Sequence, residues 1–399
     1  MNLPARLAAA LTALIVLAAC AALPASATAP ARGDIVAVER LEALEQPALQ
    51  AMADDFPGRP SVGGGAQLYR LTYWTELQGR KVIASGLVAA PTQARALKGV
   101  VLYAHGTTMT RALSPSQPDR ADGDEEAAVF AGNAYLVVLP DYVGLGVSTV
   151  PQAYAIVRPQ VDASADMLKA VRAWAGREGL GWNPSLMLMG FSQGGQTVAG
   201  LHRELERAPL DGYRLRGTVA VAGPHDLRGL SVRKTHAPDA LELVNVGYLG
   251  LALTSYAHYY GVPLETAASP DYAGVLPVVF DGGKAVETII PQLPSDARLL
   301  FQPAFLRALQ ANRSNWFTRA LDDNQTWKWV PRAPLRIVYG DADIDVPAAS
   351  SKALYDYAAP RGGAVTLHSM GRTDHAETAA KSYAPTVAWF DALAAGETR

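Results

Sequence analysis

Hydrophobic positions change their rhythm along this chain. From Gln67, apolar and polar residues alternate through Leu68-Tyr69-Arg70-Leu71-Thr72-Tyr73-Trp74 and again through Val82-Ile83-Ala84-Ser85-Gly86-Leu87-Val88. A period of two on either side of Gln78-Gly79-Arg80 predicts an antiparallel hairpin at a sheet edge. Unbroken apolar runs follow, Val100-Val101-Leu102-Tyr103-Ala104 and Tyr135-Leu136-Val137-Val138-Leu139. Parallel strands buried on both faces take this form. Further runs stand at 186–190, 218–222, 335–339 and 364–367. Helical periods lie at 124–131 and 160–175, then from the end of the 186–190 run to about 206, and at 380–393. Strand and helix alternating in this order predict an α/β domain with a mostly parallel central sheet and helices on both faces.

Residues 224–332 break the alternation. They read as an inserted helical cap over the C-terminal edge of the sheet, where ligands bind in open α/β sheets. Within it, 241–260 is apolar nearly all round, which suits a buried core helix or a lid whose inner face shelters an apolar group. The predicted core is thus 66–223 with 333–399, preceded by a tether and mixed N-terminal segment at 28–65.

The first residues read as an address. Arg6 precedes an apolar run, 7–19, too short for a comfortable membrane span. Leu17-Ala18-Ala19-Cys20 matches a bacterial lipobox, in which a lipidated Cys20 would attach the chain to a membrane. Ala25-Ser26-Ala27 instead suits ordinary signal peptidase, giving a signal peptide of 1–27. Either reading exports the protein, to the periplasm or medium or as an outer-membrane lipoprotein. Cys20 is the only cysteine, which excludes an internal disulfide and a cysteine–zinc site. Of 399 residues 49% are hydrophobic and 18% charged, excluding a disordered chain, and a net charge of −2 without a basic stripe gives nucleic acid no footing.

Candidate chemistry centres on Leu186-Met187-Leu188-Met189-Gly190-Phe191-Ser192-Gln193-Gly194-Gly195. A buried strand running into Gly-x-Ser-x-Gly and then a helix describes a sharp turn with Ser192 at its apex. Gly190 and Gly194 leave room for strand and helix to close up. The helix N-terminus offers unpaired N–H groups to a developing oxyanion.

A serine needs a base to take its proton, and the base needs a group to orient it. After the 335–339 run comes Gly340-Asp341-Ala342-Asp343-Ile344-Asp345-Val346-Pro347; after the last run comes Gly371-Arg372-Thr373-Asp374-His375. Asp343, mid-loop, is the preferred acid. Asp341 suits a chain turn and Asp345 a cap for a helix begun near Pro347, with Asp345 next in line for the acid role. Of seven histidines His375 alone follows the last strand in a polar loop. His368 ends that strand, and His202, His225, His236 and His258 fall on helices or in the insertion. No histidine–carboxylate spacing points to a metal. For an oxyanion, the expected donors are the amides of Gln193 and Thr107, with Thr108 second in the loop His105-Gly106-Thr107-Thr108. His105 and Asp141-Tyr142 read as braces for that loop or for the serine turn.

In combination, Tyr103-Ala104-His105-Gly106-Thr107-Thr108, Pro140-Asp141-Tyr142-Val143-Gly144-Leu145-Gly146, Gly190-Phe191-Ser192-Gln193-Gly194-Gly195 and the 340–347 loop resemble the secretory lipase family and similar bacterial secreted lipases and esterases, over about residues 68–395. The resemblance implies an α/β-hydrolase fold with an inserted cap, carboxylic-ester hydrolysis of a small-molecule or lipid substrate, and no cofactor. It makes Ser192 nucleophile, Asp343 orienting acid and His375 base. Fungal members carry disulfides, which this chain cannot form. A peptidase or amidase on the same fold is the alternative within enzymes. A binding protein of the cell envelope that lacks catalysis is the alternative outside them.

Overall fold

The computed structural model describes residues 29–93 and 96–396. Nine strands form one sheet in the order β1-β2-β3-β5-β4-β6-β7-β8-β9. They are β1 (Ile35–Leu44), β2 (Ala66–Leu77), β3 (Arg80–Pro91), β4 (Gly99–Ala104), β5 (Tyr135–Pro140), β6 (Ser185–Phe191), β7 (Arg214–Val221), β8 (Leu335–Tyr339) and β9 (Val365–Ser369). Every pair from β1 to β3, and β3 with β5, is antiparallel; β5, β4, β6, β7, β8 and β9 run parallel. The predicted hairpin is β2–β3, longer at both ends than its alternating stretch and closed by Gln78 and Gly79 at φ 51° and 76°. Two consecutive left-handed residues match the twist of paired strands.

The period of two shows directly in the core. Val100, Leu102 and Ala104 of β4 pack on one face with α3 (Val157–Arg177), α4 (Gln193–Arg207) and Leu354 of α12 (Ala348–Ala358). Val101 and Tyr103 face the other way, toward α1 (Gln46–Asp54), α2 (Asp124–Val129) and α13 (His375–Ala394). Both faces are covered, which explains why β4 and β5 carry no polar alternation.

Residues 28–65, expected to be a tether and mixed segment, instead contain β1 and α1. β1 pairs with β2 from Ile35↔Tyr73 to Leu44↔Ala66 but leaves most of its side chains exposed. An edge strand held by its backbone ladder needs no apolar face, so periodicity gave no signal there. Just before it, Arg32 reaches Asp166 (2.7 Å) and Asp162 (3.0 Å) of α3. The sequence reading of the first 27 residues, including Cys20, lies outside the described residues.

Between β7 and β8 the chain leaves the sheet for α5 (Leu227–Arg233), α6 (Leu243–Tyr260), three single turns α7 (Pro270–Ala273), α8 (Leu276–Val279) and α9 (Val286–Ile289), then α10 (Pro303–Gln310) and α11 (Trp316–Asp323). These share a third apolar cluster, built around Val246, Leu249, Leu253 and Tyr256 of α6 with Phe317 and Leu321 of α11, and closed by Ala155 and Ile156 from the chain before α3. α6 buries residues on every side, as its all-round apolar sequence requires.

Candidate active site

Strand β6 ends at Phe191 and helix α4 begins at Gln193, so a single residue, Ser192, makes the turn. Its φ of 55° and ψ of −121° lie where a side chain is strained by about 1–3 kcal/mol. Two backbone bonds hold it there: Ser192 N–H donates to Val221 O (2.9 Å), and Ser192 O accepts from Gly195 N (2.8 Å). The glycines are obligatory through close approach. A Cβ on Gly190 would lie 2.2 Å from Gly194 O, and one on Gly194 only 1.7 Å from Ala104 O. Gly195 is similarly confined, 2.8 Å from Val221 O. Ser192 itself is 6% exposed.

The 340–347 loop delivers Asp343. Its Oδ2 lies 2.7 Å from His375 Nδ1, and its Oδ1 accepts from the backbone N–H groups of Asp345 and Val346, each at 2.9 Å. Three hydrogen bonds fix the orientation of this carboxylate. Asp341 accepts from Ser369 Oγ at 2.7 Å and ties the loop to the end of β9. The expectation that Asp345 caps the following helix fails, because Pro347 is the residue before α12 and takes the N-cap position. Asp345 turns inward instead, and Asp343, Asp345 and His375 each place one polar atom within 4.8 Å of the others.

His375 sits at the first residue of α13, so the closing helix starts five residues earlier than its apolar period indicates. Asp374 caps it, accepting from Glu377 N at 2.8 Å, and Glu377 reaches back to Asp374 N. This Asp-x-x-Glu capping box was legible in the sequence. The His375 ring packs 4.6 Å from Phe191, beside Ser192, and its Nε2 is buried without a hydrogen-bond partner among the described residues.

The loop after β4 crosses the serine turn: a Cβ on Gly106 would stand 3.8 Å from that of Ser192. The amides of Thr107 and Gln193 have no partner among the described residues, nor does that of Thr108. The Thr107 hydroxyl donates to Tyr154 Oη (3.2 Å), and Gln152 Nε2 donates to Thr108 O (3.1 Å). His105 braces this loop. Burial pushes its pKa down, its Nδ1 is 2.8 Å from Gly106 O, and the ring stacks on Tyr142 at 4.3 Å. Asp141, fully buried, accepts from Ser85 Oγ and Ser116 Oγ, both at 2.5 Å, and from Ser116 N at 2.9 Å, pinning the same loop to β3. Burial outweighs these bonds and pushes its pKa up. His202 pairs with Glu206, His225 with Thr326 and His368 with Thr366; none of the three makes a hydrogen bond to Ser192, Asp343 or His375.

Beside Ser192 opens a narrow cavity of about 50 Å³. Its walls are mostly apolar, supplied by Leu227 and Leu230 of α5, by Tyr248, Leu249, Ala252 and Tyr256 of α6, and by Leu321. α6 is therefore both a buried helix and a wall of the cavity. Sequence reasoning missed Lys234, Tyr154 and Gln152. The one available signal was the spacing of Leu227, Leu230, Ser231 and Lys234, which puts all four on one helical face.

This order of strands, with a serine turn after β6, an acid after β8 and a histidine after β9, decides the fold. It is an α/β-hydrolase fold. No family model matches the chain, and neither does any curated protein. Solved structures do. A Legionella pneumophila protein described as a candidate hydrolase superposes with a TM-score of 0.84 at 24% identity, covering 92% of this chain and 99% of its own. The rice cell wall degrading esterase LipA from Xanthomonas oryzae gives 0.79 at 22% identity, covering 92% and 98%. Candida antarctica lipase A in its closed state gives 0.63 at 14% identity, covering 93% and 84%.

Proposed function

We propose that this protein is an exported serine hydrolase of carboxylic esters. The observation that carries the reading is the His375–Asp343 pair, the histidine ring packed on Phe191 next to a serine held in a strained turn, with the outer imidazole nitrogen buried and without a partner among the described residues. In the first step His375 Nε2 takes the proton of Ser192 Oγ as the oxygen attacks the ester carbonyl. Asp343 keeps Nδ1 protonated and steadies the imidazolium that forms. The amides of Gln193 and Thr107 receive the oxyanion, and a contribution of about 3 kcal/mol per donor is typical. His375 then returns its proton to the leaving alcohol, and water, activated by the same nitrogen, hydrolyses the acyl-enzyme. An esterase and a lipase among the structural neighbours agree with ester chemistry.

Export rests on the N-terminal pattern of Arg6, the short apolar run and the two processing sites. Among the described residues no helix is long and apolar enough to cross a membrane. Mass spectrometry of the mature N-terminus separates a lipidated Cys20 from cleavage after Ala27.

Hydrolysis of p-nitrophenyl esters from acetate to palmitate, with Ser192→Ala in parallel, tests the activity. A Ser192-dependent signal supports the reading; activity on aminoacyl amides alone, or none from the folded protein, overturns it.

A further inference from the structure

The active-site cavity contains a cation that the proposed hydrolysis does not use. Lys234 follows directly on α5, one turn beyond Leu230, and lines the cavity with Ser192. It is only 3% exposed, which is rare for a lysine without a carboxylate partner. Its Nζ donates to Ile344 O at 2.9 Å, and the other two N–H groups have no acceptor among the described residues. It forms no ion pair there either. Asp345 lines the same cavity, and its buried Oδ1 likewise has no partner among the described residues. A buried polar group left unsatisfied is costly, so two such residues lining one cavity form a site suited to a polar ligand.

The charges decide what kind of ligand fits. An anion would meet Lys234 but also the carboxylates of Asp345 and Asp343, and a cation would meet the ammonium. A neutral group that both accepts and donates satisfies both sides at once. We propose that Lys234 and Asp345 hold a hydroxyl group of the substrate, which accepts from the lysine ammonium and donates to the Asp345 carboxylate, so that the enzyme selects hydroxylated esters. This rests on the esterase reading above and specifies its substrate class. The hydroxyl can belong to the acyl chain or to the alcohol; either source presents the same chemistry.

Burial lowers the Lys234 pKa to about 8, against the opposing pull of Asp345, Asp239 and Asp343 and with the repulsion of Arg233. The ammonium is therefore charged at neutral pH and is lost above it.

The test uses two pairs of near-isosteric esters. Ethyl 3-hydroxybutyrate is compared with ethyl 3-methylbutyrate, and 2-hydroxyethyl butyrate with propyl butyrate. Each is run on the wild type, Lys234→Met and Asp345→Ala at pH 7, with p-nitrophenyl butyrate as control. The expected result is a preference in kcat/KM of about tenfold or more for the hydroxylated member of one pair, since a site built around a hydroxyl rejects the analogue lacking it. The pair that shows it identifies the side of the ester. The preference should fall toward unity in both variants, and in the wild type as pH rises above 8. A wild type indifferent within both pairs overturns the proposal and means that water alone fills the gap. So does a Lys234→Met variant that loses both members of a pair equally, which would make the lysine only a strut of the 340–347 loop. Wild type inactive on the control as well refutes the esterase reading itself, and this proposal with it.

Discussion

His375 Nδ1 and Asp343 Oδ2 stand 2.7 Å apart although the two residues are 32 positions apart along the chain. The pairing leaves the imidazole one nitrogen without a partner among the described residues, in a ring packed on Phe191 at the serine turn. Asp343 is in turn fixed by two backbone amides of its own loop, so the base is held by a carboxylate that cannot swing away.

Ser192→Ala is expected to lower kcat by about 10⁶-fold, the loss seen when one member of a unit is removed. Because the alanine keeps the backbone turn, the melting temperature should stay close to that of the wild type. Steady-state kinetics on a p-nitrophenyl ester with calorimetry of the same samples checks both.

The competition between two aspartates is settled by unequal losses. Asp343→Asn should cost about 10⁴-fold in kcat, because an amide stabilises the wrong imidazole tautomer. Asp345→Asn should lose at least a hundredfold less, since its carboxylate makes no bond to His375. Equal losses from the two would mean that the histidine changes partner during turnover.

Gly194→Ala should fail to give folded protein. Its new Cβ would sit 1.7 Å from Ala104 O, a backbone atom in a central strand that has nowhere to move. Overpacking of this kind costs about 3 kcal/mol or more. A circular dichroism spectrum and melting temperature like those of the wild type would show that β4 and α4 are farther apart than described.

Stability should decline from acid toward alkaline pH through the carboxyl group of Glu126. It is fully buried under Tyr383, whose hydroxyl donates to it, and accepts from Gly123 N at 2.7 Å. Burial first, and the neighbouring Asp122 second, push its pKa from 4.5 up to about 7. The folded state thus binds the proton more tightly than the unfolded chain. Its stabilising contribution is complete below pH 4.5 and disappears as pH rises through about 7. Melting temperatures between pH 4.5 and 8 should slope downward, and Glu126→Gln, which does not titrate, should flatten part of that slope. An unchanged slope in the variant would assign the effect to other groups.

Much of the fold was legible in order. The hairpin, the parallel strands and the serine turn announce themselves because burial on one or both faces imposes a local period, and a close approach imposes glycine. Gly190-Phe191-Ser192-Gln193-Gly194 and the polar stretches after β8 and β9 that bear Asp343 and His375 are local patterns too. β1 was not legible, since a strand held only by its ladder needs no apolar face. The start of α13 was misplaced because its first turn is set by a capping box rather than by hydrophobic spacing.

What the chain alone determined, then, is which residues can form each element and which turns must be tight. Those depend on neighbours a few positions away. Tertiary structure alone decided which aspartate meets His375, that Asp345 turns into the cavity instead of capping α12, and that Lys234 is buried beside Ser192. Each depends on groups far apart in sequence being brought together around one site, which no local pattern records.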